Sequence, residues 1–278
     1  MMKRRKLFCE LSPACYRISV WKEACIKDAQ DLLRHKRFAC TKQYDSFEYI
    51  WKGEAKIIRR ELLGVDPQLQ INKATNLRIA AKELDGLVIC PGEEFSFWNT
   101  VGNATAEKGY LEGLVIHGCE LRSGIGGGLC QMANLIHYLV LHSPLLVTEL
   151  HHHSDALFPD SKRRVPFGTG TSIFYKRLDY RFKNTASTPV QLRIWTEDDK
   201  MLYGELRSTE PLPFKYRLTE EDHHYARGKD GDFFRNSRIY RIVSDKASGK
   251  TIRKDLILVN HSRVLYDPAL IPENEIRQ

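Results

Sequence analysis

One stretch constrains this chain more than any other: Gly124-Ile125-Gly126-Gly127-Gly128-Leu129-Cys130-Gln131, a glycine-rich loop running straight into a cysteine. The cysteine opens an apolar segment, Leu129 to Leu146, long enough for a buried helix. A thiol at a helix N-terminus meets unpaired backbone N–H groups and the positive end of the helix dipole, and both favour a thiolate. Glycines carry no side chain, so Gly126, Gly127 and Gly128 read as a cleared approach for a substrate backbone. The histidine run His151-His152-His153 follows closely and supplies a base. Loop, thiol and histidine together have the layout of a cysteine acyl-transfer site. The opposing reading of Cys130 is a small buried apolar residue, which free cysteines often are.

The rest of the chain narrows the chemistry. Cys130, Asn134 and His137 form a polar seam at i, i+4 and i+7. Seven helical residues rise about 10 Å, too far for a hydrogen bond, so His137 is not the base for Cys130 in a straight helix. On a strand His151 and His153 share one face and His152 points to the other. Gln131 offers an amide or a backbone N–H to an oxyanion. Gly168-Thr169-Gly170-Thr171-Ser172 presents hydroxyls and backbone donors but lacks the lysine and spacing of a phosphate loop. A metal site from His151, His153 and Cys130 ranks lower, because no further ligand stands at recognisable spacing. No motif calls for a cofactor.

Composition sets outer limits. The chain has 278 residues and a net charge of +8. That charge favours an anionic neighbour, and basic residues between Lys3 and Arg37 fit a peripheral contact with an anionic membrane. No nucleic-acid motif accompanies it. Seven cysteines without a Cys-x-x-Cys pair fit neither a complete disulfide framework nor a zinc ribbon. The basic start is interrupted by Glu10 and Pro13 and lacks a signal-peptide core, which leads to an expectation of cytoplasmic residence.

Hydrophobic periodicity predicts an α+β protein: a helical N-terminal part, a central Cys helix packed on a mainly antiparallel sheet, and a β-rich C-terminal part. The expected divisions are 1–69, a helical subdomain; 70–210, the core; and 211–278, a β-rich extension. Helices are expected over Trp21–His35, Glu54–Leu63 and Asn72–Leu84, and most of the chain after Thr171 reads as strand.

An ordered string of motifs resembles the VanW family, associated with vancomycin resistance. It comprises Asn76-Leu77-Arg78-Ile79-Ala80-Ala81 with Asp85-Gly86, Pro91-Gly92-Glu93-Glu94-Phe95-Ser96-Phe97, Val101-Gly102, Lys108-Gly109-Tyr110, the Gly124–Gln131 loop, His151-His152-His153-Ser154 and Asp179-Tyr180-Arg181-Phe182-Lys183-Asn184. The resemblance implies a peptidoglycan peptide or its precursor as partner. It also implies an L,D-transpeptidase-like reaction with Cys130 as nucleophile. The family's His-x-His-Ser falls on His151, His153 and Ser154. Where many members carry an aspartate, this chain has Gly170, so the resemblance implies a site without that orienting carboxylate. Ser154, the Thr169–Ser172 hydroxyls and backbone carbonyls are the neutral candidates to orient the histidine, and Ser154 and Thr171 are also expected to contact substrate. A second reading is a non-catalytic module that binds peptidoglycan fragments or glycopeptide.

Overall fold

The computed structural model describes residue 8 and residues 11–59, 66–117, 120–152, 155–156 and 170–277. His153, Ser154 and Gly168–Thr169 lie outside the described residues. The architecture is mixed α+β with a strand-rich C-terminal part. In chain order the elements are α1 (Pro13–Leu33), β1 (Thr41–Lys42), β2 (Tyr49–Ile57), α2 (Pro67–Leu84), β3 (Leu87–Ile89), β4 (Glu94–Ser96), α3 (Phe97–Val101), β5 (Glu112–His117), β6 (Glu120–Ile125), α4 (Cys130–Leu141) and β7 (Leu146–Glu149). Then come β8 (Asp155–Ala156), β9 (Arg181–Lys183), β10 (Val190–Glu197), β11 (Met201–Ser208), β12 (Phe214–Arg227), β13 (Phe233–Asp245), β14 (Thr251–Val264) and β15 (Ile276–Arg277).

The core sheet is antiparallel in the order β1-β3-β10-β11-β2. On β11, Leu202, Gly204 and Leu206 turn inward, alternating with half-exposed Tyr203 and Glu205. α2 packs against β10 and β5, and α4 against β11 and β2. α4 is apolar on most of its circumference, as a helix inside a core must be. Met132, Ala133, Ile136, Leu139 and Val140 are fully buried. Gly204 admits the helix: a Cβ there would stand 3.0 Å from Leu135 Cδ2 and 3.1 Å from Leu139 Cδ1. A three-stranded sheet, β4-β9-β7, carries Glu149 at the end of β7. The C-terminal sheet runs β15-β12-β13-β14-β8.

Two expectations about local structure change. Residues 54–57 are not helical. They close the edge strand β2, whose Ala55 and Glu54 pair with Tyr203 and Gly204 of β11. Aromatic and β-branched residues at Tyr49, Ile50 and Trp51 start that strand, and sheet pairing outweighs the helical spacing of Ile57 and Ile58. α2 starts earlier than expected, at Pro67. The Asp66 side chain accepts from Gln68 N at 2.8 Å, and proline suits the first helical turn.

Candidate functional site

Cys130 is the first residue of α4, behind Leu129 as N-cap. Its position depends on how the glycine loop is held. Asn76 of α2 is fully buried and binds the loop from beneath. Its Nδ2 donates to Gly127 O and Leu111 O, both at 2.9 Å, and its Oδ1 accepts from Leu111 N at 2.8 Å. Truncation to Asn76→Ala leaves two backbone groups without this partner, Gly127 O and Leu111 N, at about 1–3 kcal/mol each, while Leu111 O keeps the N–H of Gly126. The expected loss is therefore at least about 2 kcal/mol in denaturant unfolding, and an effect below about 1 kcal/mol contradicts the role.

The three glycines are explained by the protein's own packing. A Cβ on Gly127 would collide with the backbone of Gly113 in β5. One on Gly126 would sit 2.7 Å from Ala104 Cβ, and one on Gly128 would strike the aliphatic stem of Lys73. Gly126 and Gly128 also adopt positive φ, 76° and 96°. The expectation that these residues clear a path for substrate is corrected: α2, β5 and Ala104 already fill the side-chain space. Gln131 is anchored as well. Its Nε2 donates one of its two hydrogens to Ile57 O at 2.9 Å, and its backbone N–H donates to Gly128 O at 3.0 Å.

The polar seam of α4 seats residues 170–173. Asn134 Oδ1 accepts from Thr171 N at 2.6 Å, and the Cys130 sulfur lies 4.0 Å from Ile173 O. A Cβ on Gly170 would stand 3.4 Å from Asn134 Oδ1. Thr171 is fully buried, so its expected contact with substrate gives way to a docking role against α4. Burial pushes the Cys130 thiol up, against backbone hydrogen bonds at Ile173 and at Cys130 itself that pull it down. Burial therefore works against the resting thiolate expected from the helix terminus.

His151 reaches the same segment from the other side. Its carbonyl accepts from Ser172 N at 2.6 Å, one residue from the Ile173 carbonyl beside the sulfur. Its imidazole is held by a carboxylate that sequence reasoning missed: Nε2 stands 2.9 Å from Glu149 Oε1. Burial alone would raise Glu149, but hydrogen bonds from His151, Lys27 and Asp179 N–H hold its carboxyl down at about 2. An ionised carboxylate only accepts, so Nε2 carries the hydrogen and Nδ1 is the basic nitrogen. Glu149 is fixed in turn by Lys27 Nζ at 2.6 Å and Arg181 Nε at 3.3 Å. Arg181 binds Asp179 and Asp31 as well, so α1 is tied to the site through Lys27 and Asp31. Same-face alternation, Glu149 with His151 and Asp179 with Arg181, was the signal available in the sequence.

His137 lies behind Cys130 and does other work. It is buried, its Nδ1 stands 3.1 Å from Tyr180 Oη, and its Nε2 has no hydrogen-bond partner among the described residues. Burial, with a smaller contribution from nearby His152, lowers it to about 3. Below pH 6.5 the unfolded chain gains a proton that the folded chain refuses. Stability contributed by neutral His137 is therefore complete above about pH 6.5 and lost at roughly 1.4 kcal/mol per pH unit as pH falls toward 3. In urea unfolding at pH 7 and pH 5, His137→Phe should start less stable, having lost the Tyr180 hydrogen bond, and decline less. Equal declines would contradict this assignment.

Comparison with known proteins agrees with the motif pattern. The family described as VanW like protein matches residues 72–206. The vancomycin B-type resistance protein VanW of Enterococcus faecalis (strain ATCC 700802 / V583) is 31% identical over 204 residues, covering 73% of this chain and 73% of its own. The uncharacterized protein YoaR of Bacillus subtilis (strain 168) is 30% identical over 122 residues, 44% of this chain and 39% of its own. No solved structure matches the chain.

Proposed function

The chain belongs to the VanW-like protein family, and on that premise we propose that it is a cysteine acyltransferase acting on cell-wall peptides or their precursors. One observation carries the reading. The Cys130 sulfur lies beside Ile173 O, and the backbone carbonyl of His151, whose imidazole is held by Glu149, accepts from the adjacent Ser172 N–H. His151 Nδ1 takes the thiol proton as sulfur attacks a peptide carbonyl. The S–C bond forms, the C–N bond breaks, and the imidazolium returns the proton to the leaving amine. An acceptor amine then attacks the thioester and releases the thiol. The backbone N–H of Cys130 at the start of α4 is the oxyanion donor, with the second amide hydrogen of Gln131 as a further one. Because burial raises the thiol, proton transfer to His151 accompanies attack rather than preceding it. The Enterococcus relative's name refers to vancomycin resistance, and a cell-wall peptide substrate agrees with it.

A stem tetrapeptide incubated with an isotopically labelled D-amino acid tests the proposal. Mass spectrometry should find the terminal residue exchanged by the native protein and not by Cys130→Ser. Glu149→Gln should reduce kcat about 10²–10⁴-fold with KM little changed, and Glu149→Asp should recover part of that loss. Tight peptide binding with no exchange would instead favour the non-catalytic binding module.

A further inference from the structure

α1 has two dissimilar faces. Its inner face is fastened to the protein: Ala24 is buried, Lys27 binds Glu149 and Asp31 binds Arg181. The outer face is apolar and uncovered. Ile18, Trp21, Cys25, Ala29 and Leu32 recur at spacings of three and four, and all five are exposed, Trp21 at 69% and Leu32 at 77%. Trp21 also borders an apolar cleft of about 360 Å³ between α1 and residues 174–176. A surface helix ordinarily turns polar residues outward, and an exposed apolar strip with a polar rim marks an interaction surface.

Charge identifies what covers it. Residues 1–38 hold ten basic and four acidic side chains, six of the chain's eight net positive charges. Lys22 flanks the stripe, and Arg34 and Arg37 are exposed beyond its C-terminal end. An apolar face bearing tryptophan, edged by exposed Lys22 on one side and by Asp28, paired with Lys176, on the other, fits the headgroup boundary of an anionic bilayer. That six of the eight net charges fall within this first stretch of sequence favours an anionic lipid surface over a protein partner.

We infer that the outer face of α1 docks on an anionic phospholipid membrane. Ile18, Trp21 and Leu32 enter the headgroup–acyl boundary, and Lys22, Arg34 and Arg37 meet lipid phosphates. The contact is peripheral: no helix among the described residues is long and apolar enough to cross a membrane. A helix with side chains is about 10 Å thick. The Glu149–His151 pair behind Lys27 therefore sits about one helix diameter from the lipid, where a membrane-anchored precursor can reach it. The docking itself is independent of any chemistry at Cys130.

Co-sedimentation of the full chain with vesicles reads this directly. Equimolar phosphatidylglycerol and phosphatidylcholine should bind the protein, and pure phosphatidylcholine should not. Ile18→Glu with Trp21→Glu, or Lys22→Glu with Arg34→Glu, should each weaken binding at least tenfold, as should 0.5 M salt. These side chains are exposed, so thermal unfolding should be unchanged. Should the first pair misfold, brominated-lipid quenching of native tryptophan fluorescence, reduced in Trp21→Phe, carries the same information. No binding to anionic vesicles, or binding equal in both charge-reversed variants, overturns the inference. So does an α1-dependent dimer in sedimentation velocity without vesicle binding, which would make a second copy the occupant.

Discussion

Alanine at Gly127 is expected to unfold this protein or bring it close to unfolding. The added Cβ would lie 2.6 Å from Gly113 Cα and closer still to that residue's carbonyl, where real Cβ atoms are not found. Neither partner is a flexible side-chain end that can step aside. Retreat of the loop is opposed by Asn76, whose Nδ2 holds both Gly127 O and Leu111 O. Overpacking in a well-filled core costs about 1–3 kcal/mol, and breaking the Asn76 bonds adds about as much again. Against a typical domain stability of about 5–15 kcal/mol, that is a large share. Gly92 is the natural control. It has φ of 81° and nothing within 4 Å of its hypothetical Cβ, so Gly92→Ala should cost only about 1 kcal/mol, from the left-handed conformation. Guanidinium unfolding of the two variants side by side checks the order. Equal midpoints would contradict the packing assigned to the glycine loop.

Arg181→Met should be nearly as damaging for an electrostatic reason. The guanidinium is 4% exposed and lies among Asp179 at 2.7 Å, Asp31 at 2.7 Å and Glu149 at 3.3 Å. Methionine fills much of the volume but leaves the carboxylates without their shared cation. Removing one partner from a buried ion pair costs about 3–5 kcal/mol, because an uncompensated charge stays behind. Loss of the Asp31 tether should also expose α1 to limited proteolysis before the rest of the chain. A variant as stable as the native protein, with α1 equally protected, would show that Lys27 and Lys36 hold the network without Arg181.

The features legible in the sequence were those with strong local signals. Gly124–Gln131 announced a loop entering a helix, and Cys130 does begin α4. The alternation from Val190 to Val259 announced the strands of the core and C-terminal sheets. Lys246-Ala247-Ser248-Gly249-Lys250 reads as a hairpin turn, and it joins β13 to β14, where Asp245 Oδ1 accepts from Ser248 N and Oγ at 2.7 Å. What escaped was set by partners distant in the chain. Residues 54–57 join β11, 144 to 150 positions away, in a register that no local window contains. The glycines look free for substrate until Gly113, Ala104 and Lys73 are folded against them. The anchor of the Gln131 amide on Ile57 O is likewise set by β2. Glu149 was within reach of sequence reasoning, because residues i and i+2 of an extended segment share a face.

Intact-mass spectrometry of the protein mixed with a stem tetrapeptide, quenched in acid within seconds, tests the central claim most directly. The account predicts a covalent adduct equal to the peptide less its departing terminal residue. It should map by digestion to Cys130, be released by hydroxylamine as a thioester is, and be absent in Cys130→Ala. An unmodified protein under conditions where the peptide is demonstrably bound, or an adduct on another cysteine, would contradict it.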